Sequence, residues 1–111
     1  MSVFEFDDLT FSPTAWLFEG QPRAGVGISF FVVRTPPGKG VDIHVHPYSE
    51  TFVVLEGGGR WTAGDDVVEL HANQVLVVPA STPHGFLNTG DVPLLVVSVH
   101  ESGTLEQTFL D

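Results

Sequence analysis

Short apolar segments recur along the chain at intervals typical of β-strands, and Gly, Pro, Asp and Asn separate them. This pattern predicts an all-β sandwich or barrel, and no segment is confidently helical. The predicted strands, in chain order, are SVFEF, SPTAWLFEG, VGISFFVVRT, the segment 41–46, ETFVVLE, RWTAG, VVEL, NQVLVVP, HGFLN and PLLVVSVHE. The segment QPRAG is predicted as a turn, and the tail TLEQTF as a final strand or a docking segment.

The strand VGISFFVVRT is apolar on both faces. Ile28, Phe30 and Val32 share one face, and Phe31 and Val33 share the other. A strand that is apolar on both faces is expected to be covered on both.

Three good metal ligands, His44, His46 and Glu50, lie within seven residues. Strand side chains alternate with a period of two, so the two histidines point to the same face with Cα atoms roughly 6.6 Å apart. Imidazoles at this separation can converge on one ion at about 2.1 Å from each nitrogen. Residues 47–49 are predicted as a turn, after which Glu50 opens the next strand and brings a carboxylate beside the histidines.

The segment VVPASTPHGFLN supplies a further histidine, His84, and with it the chain resembles the cupin family. The first signature of that family is matched in full by Gly38, His44, His46, Glu50 and Gly57. The second is matched by Pro79, His84 and Asn88, with Asn73 and Ser81 where glycines usually stand. Asn tolerates a left-handed backbone nearly as well as Gly, so Ser81 is the larger departure, and it bears on the shape of the turn.

The resemblance implies a single cupin domain over residues 1–111, folded as a double-stranded β-helix or jelly-roll barrel. It also implies that four residues hold one divalent transition-metal ion: His44, His46, Glu50 and His84. Such a ligand set suits Fe, Mn, Ni, Zn or Cu, and leaves two octahedral positions open for water and a substrate. Affinity should fall below about pH 6.5, because imidazoles bind metal in the neutral form. Each imidazole is expected to donate its second N–H to a backbone carbonyl or another acceptor, and Asn88 either helps there or stabilises a turn.

Three aromatic residues are candidates for the wall of a substrate pocket: Phe52, Trp61 and Phe86. The alternative for each is that it fills the barrel. Three polar residues are candidate catalytic or orienting groups: Tyr48, Arg60 and His100, the last as a proton carrier on the face shared by Leu94, Val96 and Ser98. For His100 and for His71, placed in an exposed turn, a structural role is the preferred interpretation.

Composition narrows the class of partner. The formal net charge is −10, from 14 acidic and 4 basic side chains, which argues against nucleic acid and anionic membranes. The chain has no cysteine, shows no signal peptide and contains no apolar run of the ~20 residues that span a membrane, so a cytoplasmic protein is expected. With 42% hydrophobic and only 16% charged residues, a buried subunit interface is expected. The N-terminal strands in residues 1–20 are expected to pack on a partner subunit, giving a homodimer.

The leading functional hypothesis is a metal-dependent enzyme acting on a small organic molecule, with an oxygenase-type reaction favoured over isomerase or decarboxylase chemistry. Oxalate chemistry is disfavoured, because the oxalate-acting members of the family that this chain resembles carry an Arg three residues before the first His, and this chain has Val41 there. The first alternative is a non-catalytic module that binds a small ligand, with or without metal. A second is an interaction surface around a vestigial site.

Overall fold

Eleven β-strands and one short α-helix form the fold of residues 1–110, the part of the chain that the computed structural model describes. The strands are β1 (Thr10–Ser12), β2 (Ala15–Glu19), β3 (Ser29–Thr35), β4 (Gly40–Val45), β5 (Glu50–Glu56), β6 (Gly58–Ala63), β7 (Asp66–His71), β8 (Val75–Val78), β9 (His84–Leu87), β10 (Leu94–His100) and β11 (Thr108–Phe109). The helix α1 covers Gly20–Ala24, and a 3-10 turn covers Phe6–Leu9.

The strands form two antiparallel sheets around a shared core. One has six strands in the order β1-β2-β3-β10-β5-β8, and the other has five in the order β11-β4-β9-β6-β7. The core cluster takes side chains from both sheets: Phe52, Val54, Trp61, Leu70, Val78, Phe86, Leu94 and Val96. These residues alternate along each strand with more exposed positions, as the period of two predicts. The predicted all-β fold is confirmed.

The N-terminal strands find their hydrogen-bonding partner in the same chain. β2 pairs antiparallel with β3, and β1 pairs with β2 at the edge of the six-stranded sheet. Of the one or two short strands predicted for SVFEF and SPTAWLFEG, none forms in SVFEF, since residues 2–5 have no regular structure and the 3-10 turn begins at Phe6. Two aromatic pairs with ring centroids 5.4 Å apart hold this segment on β2: Phe4 with Phe18 and Phe6 with Trp16. A missing partner for these strands is therefore no argument for a dimer.

The predicted turn QPRAG is instead one turn of α-helix, and this part of the prediction was wrong. Pro22 lies in the first turn, where its missing N–H is not needed and its fixed φ suits the helix. Gly25 ends the helix with φ at 66° and donates its N–H to the carbonyl of Gln21 at 3.1 Å. Among residues 1–110, no helix is long and apolar enough to cross a membrane.

One face of the six-stranded sheet, here called the outer face, turns away from the core. It consists of two cross-strand rows: Phe18, Phe30, Val99, Thr51 and Val77, then Trp16, Val32, Val97, Val53 and Val75. Nine of these ten positions are apolar, yet Val75 and Val77 are each 60% exposed and most others are only half-buried. The strand VGISFFVVRT was expected to be covered on both faces, but within this one chain its outer face is only partly covered. Ile28 lies before β3 and is 47% exposed.

Candidate metal centre

Four buried side chains from both sheets meet in what we call the ligand cluster: His44, His46, Glu50 and His84. His44 lies in β4 and His46 just beyond it, while Glu50 opens β5 and His84 opens β9. The β4–β9 register sets His44 opposite His84. The four ligand atoms all lie within 4.8 Å of one another, and no member is more than 4% exposed. His84, from the second cupin signature, therefore lies beside His44, His46 and Glu50 from the first.

Backbone carbonyls fix the orientation of all three rings. The Nδ1 atoms of His44 and His84 lie 2.8 Å from the carbonyl oxygens of Asp42 and Thr82. The Nδ1 atom of His46 lies 3.0 Å from the carbonyl of Glu106. A carbonyl oxygen only accepts hydrogen bonds, so each Nδ1 carries the hydrogen. In its neutral form every ring therefore presents the lone pair of Nε2 to the cluster, and the expected carbonyl partners are present.

The distances within the ligand cluster fit a small cation. The Nε2 atoms of His46, His84 and His44 lie 2.8, 2.7 and 3.9 Å from Glu50 Oε1. Ligands about 2.1 Å from one ion would be ~3.0 Å apart at right angles and ~4.2 Å apart across it. Lone pairs and a carboxylate oxygen this close repel unless protons or a cation lie between them. The donor set therefore fits a divalent ion that accepts nitrogen and oxygen ligands.

Glu50 supplies a permanent negative charge at the cluster. Burial acts to raise the pKa of its carboxyl, but contacts with the rings of His100, His44, His46 and His84 outweigh burial and hold the pKa well below its usual range. Glu50 is consequently ionised at any pH at which the imidazoles are neutral. Protons on the imidazoles and a metal ion are then alternative sources of the balancing positive charge.

A cavity of about 400 Å³ opens beside the cluster, with His44 and Glu50 in its wall. Most of the remaining wall is apolar, and its aromatic members are Phe11, Phe31, Phe52, Phe86 and Phe109. A concave apolar space of this size with a few polar groups is typical of a small-molecule site.

Comparison with known proteins decides the family. The model of the Cupin domain family matches residues 31–100, which is more than half of the chain and includes the whole ligand cluster. This chain is a cupin.

The curated relatives of this cupin are longer than the part they share with it. Protein SchB of Streptomyces halstedii is 43% identical over 67 residues, covering 60% of this chain and 47% of SchB. Polyketide synthase CurC of Streptomyces cyaneus is 41% identical over 56 residues, covering 50% of this chain and 36% of CurC. The chain thus spans less than half the length of either relative.

Solved structures support the same fold. Oxalate decarboxylase of Bacillus subtilis superimposes with a TM-score of 0.85 at 19% identity, over 96% of this chain and 31% of the enzyme. An uncharacterised double-stranded β-helix protein of Klebsiella pneumoniae gives a TM-score of 0.78 at 22% identity, over 100% of this chain and 98% of that one. At these identities the likeness concerns the fold alone, and it confirms the predicted double-stranded β-helix.

The second cupin signature keeps its backbone shape without its glycines. Asn73 has φ at 71° and Ser81 has φ at 61°, so both occupy the left-handed region that glycine usually fills. The N–H of Ser81 donates to the carbonyl of His46 at 2.8 Å and so joins this turn to the cluster. The side chain of Asn88 donates to the carbonyls of Thr35 and Val92, which makes it a turn-stabilising residue and not a partner of an imidazole.

His100 and Tyr48 form a second polar layer behind the cluster. The Tyr48 hydroxyl lies 2.9 Å from Nδ1 of His100 and accepts a hydrogen bond from the Glu106 N–H at 3.2 Å. Nε2 of His100 lies 3.2 Å from Glu50 Oε2. Burial raises the pKa of Tyr48, and the negative charge of Glu50 adds to this, so the hydroxyl stays protonated. His100 lines the cavity, whereas the sequence favoured a structural role for it.

The other predicted residues fall in different places. Phe52 and Phe86 line the cavity, but Trp61 is fully buried and stacks on Phe86 with ring centroids 4.9 Å apart. Trp61 therefore belongs to the core. Arg60 lies on the opposite side of β6, half-exposed and paired with Glu69 at 2.8 Å, so its position does not suit contact with a substrate in this cavity. His71 is exposed, as expected.

Sequence reasoning missed several cavity residues, among them Phe11, Phe31, Ser98 and Phe109. The alternation of β10 places Ser98 on the face of His100, so parity was a usable signal for that residue. Phe11 and Phe109 come from the two ends of the chain. Only the pairing of β1 with β2 and of β11 with β4 brings them to the site.

Proposed function

We propose that this cupin holds one divalent transition-metal ion at His44, His46, Glu50 and His84, and acts with it on a small organic molecule in an oxygenase-type reaction. The observation that carries the proposal is the convergence of three Nε2 lone pairs on Glu50 Oε1 beside an apolar cavity. When bound, the ion would supply Lewis acidity and a template for the substrate's oxygen atoms.

The chain itself would orient the substrate and exclude water. Phe31, Phe52 and Phe86 line a cavity large enough for a planar or branched carbon skeleton. Similarity to CurC, which is named a polyketide synthase, supports an oxygen-bearing polyketide skeleton as one candidate.

Oxalate is a poor candidate despite the fold shared with oxalate decarboxylase. A two-carbon dianion would leave most of an apolar cavity of about 400 Å³ empty. Val41, which stands where oxalate-acting cupins carry an arginine, lines this cavity and offers no charge for a carboxylate. Mn(II) centres occur in that enzyme, which supports Mn as one candidate metal among several.

The first test is metal content. Protein purified without chelator is expected to contain about one metal ion per chain by elemental analysis, and a stripped sample is expected to regain it at pH 7.5. Occupancy should fall as the pH is lowered, because protons then compete with the metal for the imidazole nitrogens. A chain that neither carries nor takes up metal at neutral pH would end the proposal.

Oxygen consumption then separates an enzyme from the alternative, a non-catalytic ligand-binding module. Catechol is a suitable probe because it is planar and carries two adjacent oxygens. Oxygen uptake by the Fe-loaded chain with catechol favours the oxygenase. Saturable binding of catechol without oxygen uptake favours the binding module.

We further propose that the outer face forms a homodimer interface. The face presents two apolar rows across the six-stranded sheet, and its most exposed members, Val75 and Val77, lie in the edge strand β8. Burying this apolar surface against the same surface of a second copy would remove apolar area from water.

A charge on the outer face is expected to break this dimer. Val77→Asp should elute as a monomer at micromolar concentration where the unaltered chain elutes as a dimer, as checked by light scattering. Val67→Asp is a matched control, since Val67 is 61% exposed against 60% for Val77 but lies in the other sheet. An unaltered chain that elutes as a monomer contradicts the proposal.

A further inference from the structure

The hydrogen-bond partners of His100 give it the opposite tautomer to the three cluster histidines. Its Nδ1 faces the Tyr48 hydroxyl and not a carbonyl. The oxygen of this hydroxyl already accepts the Glu106 N–H, so its O–H donates to Nδ1 of His100. Neutral His100 therefore carries its hydrogen on Nε2. Where the other rings offer a lone pair, this ring offers a donor.

That donor has no well-aligned acceptor among residues 1–110. His100 is 1% exposed, and its Nε2 lies 3.2 Å from Glu50 Oε2 without the alignment of a hydrogen bond. A donor that is close to a carboxylate oxygen but poorly aligned with it is only partly satisfied, because hydrogen bonds weaken steeply as they bend. His100 lines the cavity although its Nε2 is buried, so a ligand oxygen that displaces the Glu50 carboxylate from Nε2 would give this N–H a well-aligned acceptor.

We propose that His100, oriented by Tyr48, donates its Nε2–H to an oxygen atom of the ligand that occupies the cavity beside Glu50. This inference rests on the proposed metal function and narrows its substrate class. The substrate would carry an acceptor oxygen, as a carboxylate, enolate or phenolate does, next to a carbon skeleton that packs against Phe31 and Phe52. Phe31 already contacts the His100 ring, with centroids 5.5 Å apart. A molecule presenting an N–H at this point would be disfavoured.

The test measures binding of benzohydroxamate to the Co(II)-loaded chain through the change in visible absorption. This probe is aromatic and presents two oxygens. His100→Phe removes the donor and is expected to lower the affinity for the probe about tenfold, the effect of losing one hydrogen bond to a charged group. His100→Gln keeps an N–H near the position of Nε2 and should stay within about threefold of the unaltered chain. The probe affinity of Tyr48→Phe should lie between those of His100→Phe and His100→Gln, because the tautomer of His100 is then no longer fixed.

Cobalt affinity is measured for each variant, and probe binding is compared only at full cobalt occupancy. His71→Phe, in an exposed turn, serves as the control and should bind the probe normally. Equal probe affinity in His100→Phe and the unaltered chain would overturn the inference while leaving the metal function intact. Failure of the unaltered chain to bind cobalt would overturn both.

Tautomers also give a direct readout that needs no probe. In long-range ¹H–¹⁵N spectra of the Zn-loaded chain, the cluster histidines should show hydrogen on Nδ1 and His100 should show hydrogen on Nε2. Tyr48→Phe should lose the preference at His100 alone. A hydrogen on Nδ1 of His100 in the unaltered chain contradicts the assigned role.

Discussion

Glu50→Gln is expected to weaken metal binding by more than about 100-fold while the barrel stays folded. Changes to groups that only orient metal ligands already cost about 10- to 100-fold, and Glu50 would be a ligand itself. The amide is neutral, so it removes the single negative charge among four imidazoles. Isothermal titration of stripped protein with Mn(II) or Co(II) measures the loss, and circular dichroism checks the fold.

Glu69→Gln is the matched control for Glu50→Gln. Glu69 is also a strand carboxylate, but it is exposed and pairs with Arg60 away from the cavity. Its loss should leave metal affinity unchanged. An unchanged affinity in Glu50→Gln would instead remove Glu50 from the ligands.

The acid stability of the metal-free chain should distinguish the same two variants. The pKa of Glu50 is lowered in the fold, so its charge stabilises the fold above the ordinary carboxyl pKa of about 4.3 and ceases to do so as pH falls through the lowered value. Glu50→Gln should lack this part of the acid sensitivity below about pH 4.3, and Glu69→Gln should retain it.

Local spacing was enough to predict the first half of the site. His44 and His46 share a face because strands have a period of two, and Glu50 follows one short turn later. His84 is 34 residues beyond Glu50, and no local pattern joins the two. The resemblance supplied that link, and the β4–β9 pairing is its physical basis.

Parity explains which pocket predictions the structure supports. Phe52 shares a face with Glu50, and Phe86 shares one with His84, so both line the cavity. Arg60 and Trp61 are adjacent in β6, and adjacent strand residues point to opposite faces, so both could not belong to one wall. The sequence alone did not show which of the two faced inward.

Long-range pairing limits what the sequence can predict. The carbonyl that orients His46 and the N–H that contacts Tyr48 both belong to Glu106, near the end of the chain. Backbone groups carry no sequence signal, so this part of the site was not predictable. The same holds for the pairing of β2 with β3, which gives the N-terminal strands a hydrogen-bonding partner in the same chain.

Trp61→Ala is expected to lower the free energy of unfolding by about 4 kcal/mol, the middle of the range for truncating a buried aromatic residue. Trp61 is 0% exposed and packs against Phe52 and Phe86, with ring centroids 5.7 and 4.9 Å away. Urea unfolding of the metal-free chain measures the change. Val67→Ala is the control in the neighbouring strand β7, where the side chain is 61% exposed and the loss should be small.

Trp61→Phe separates a core role from a pocket role. The indole Nε1 is buried without a hydrogen-bond partner among residues 1–110, so its removal offsets part of the lost packing. We therefore expect a loss of about 1–2 kcal/mol, well short of the alanine variant. Because Trp61 does not line the cavity, the Co(II)-loaded phenylalanine variant should bind benzohydroxamate as the unaltered chain does. A changed affinity for this probe at full cobalt occupancy would contradict a purely core role and would mean that Trp61 shapes the pocket through Phe52 and Phe86, against which it packs.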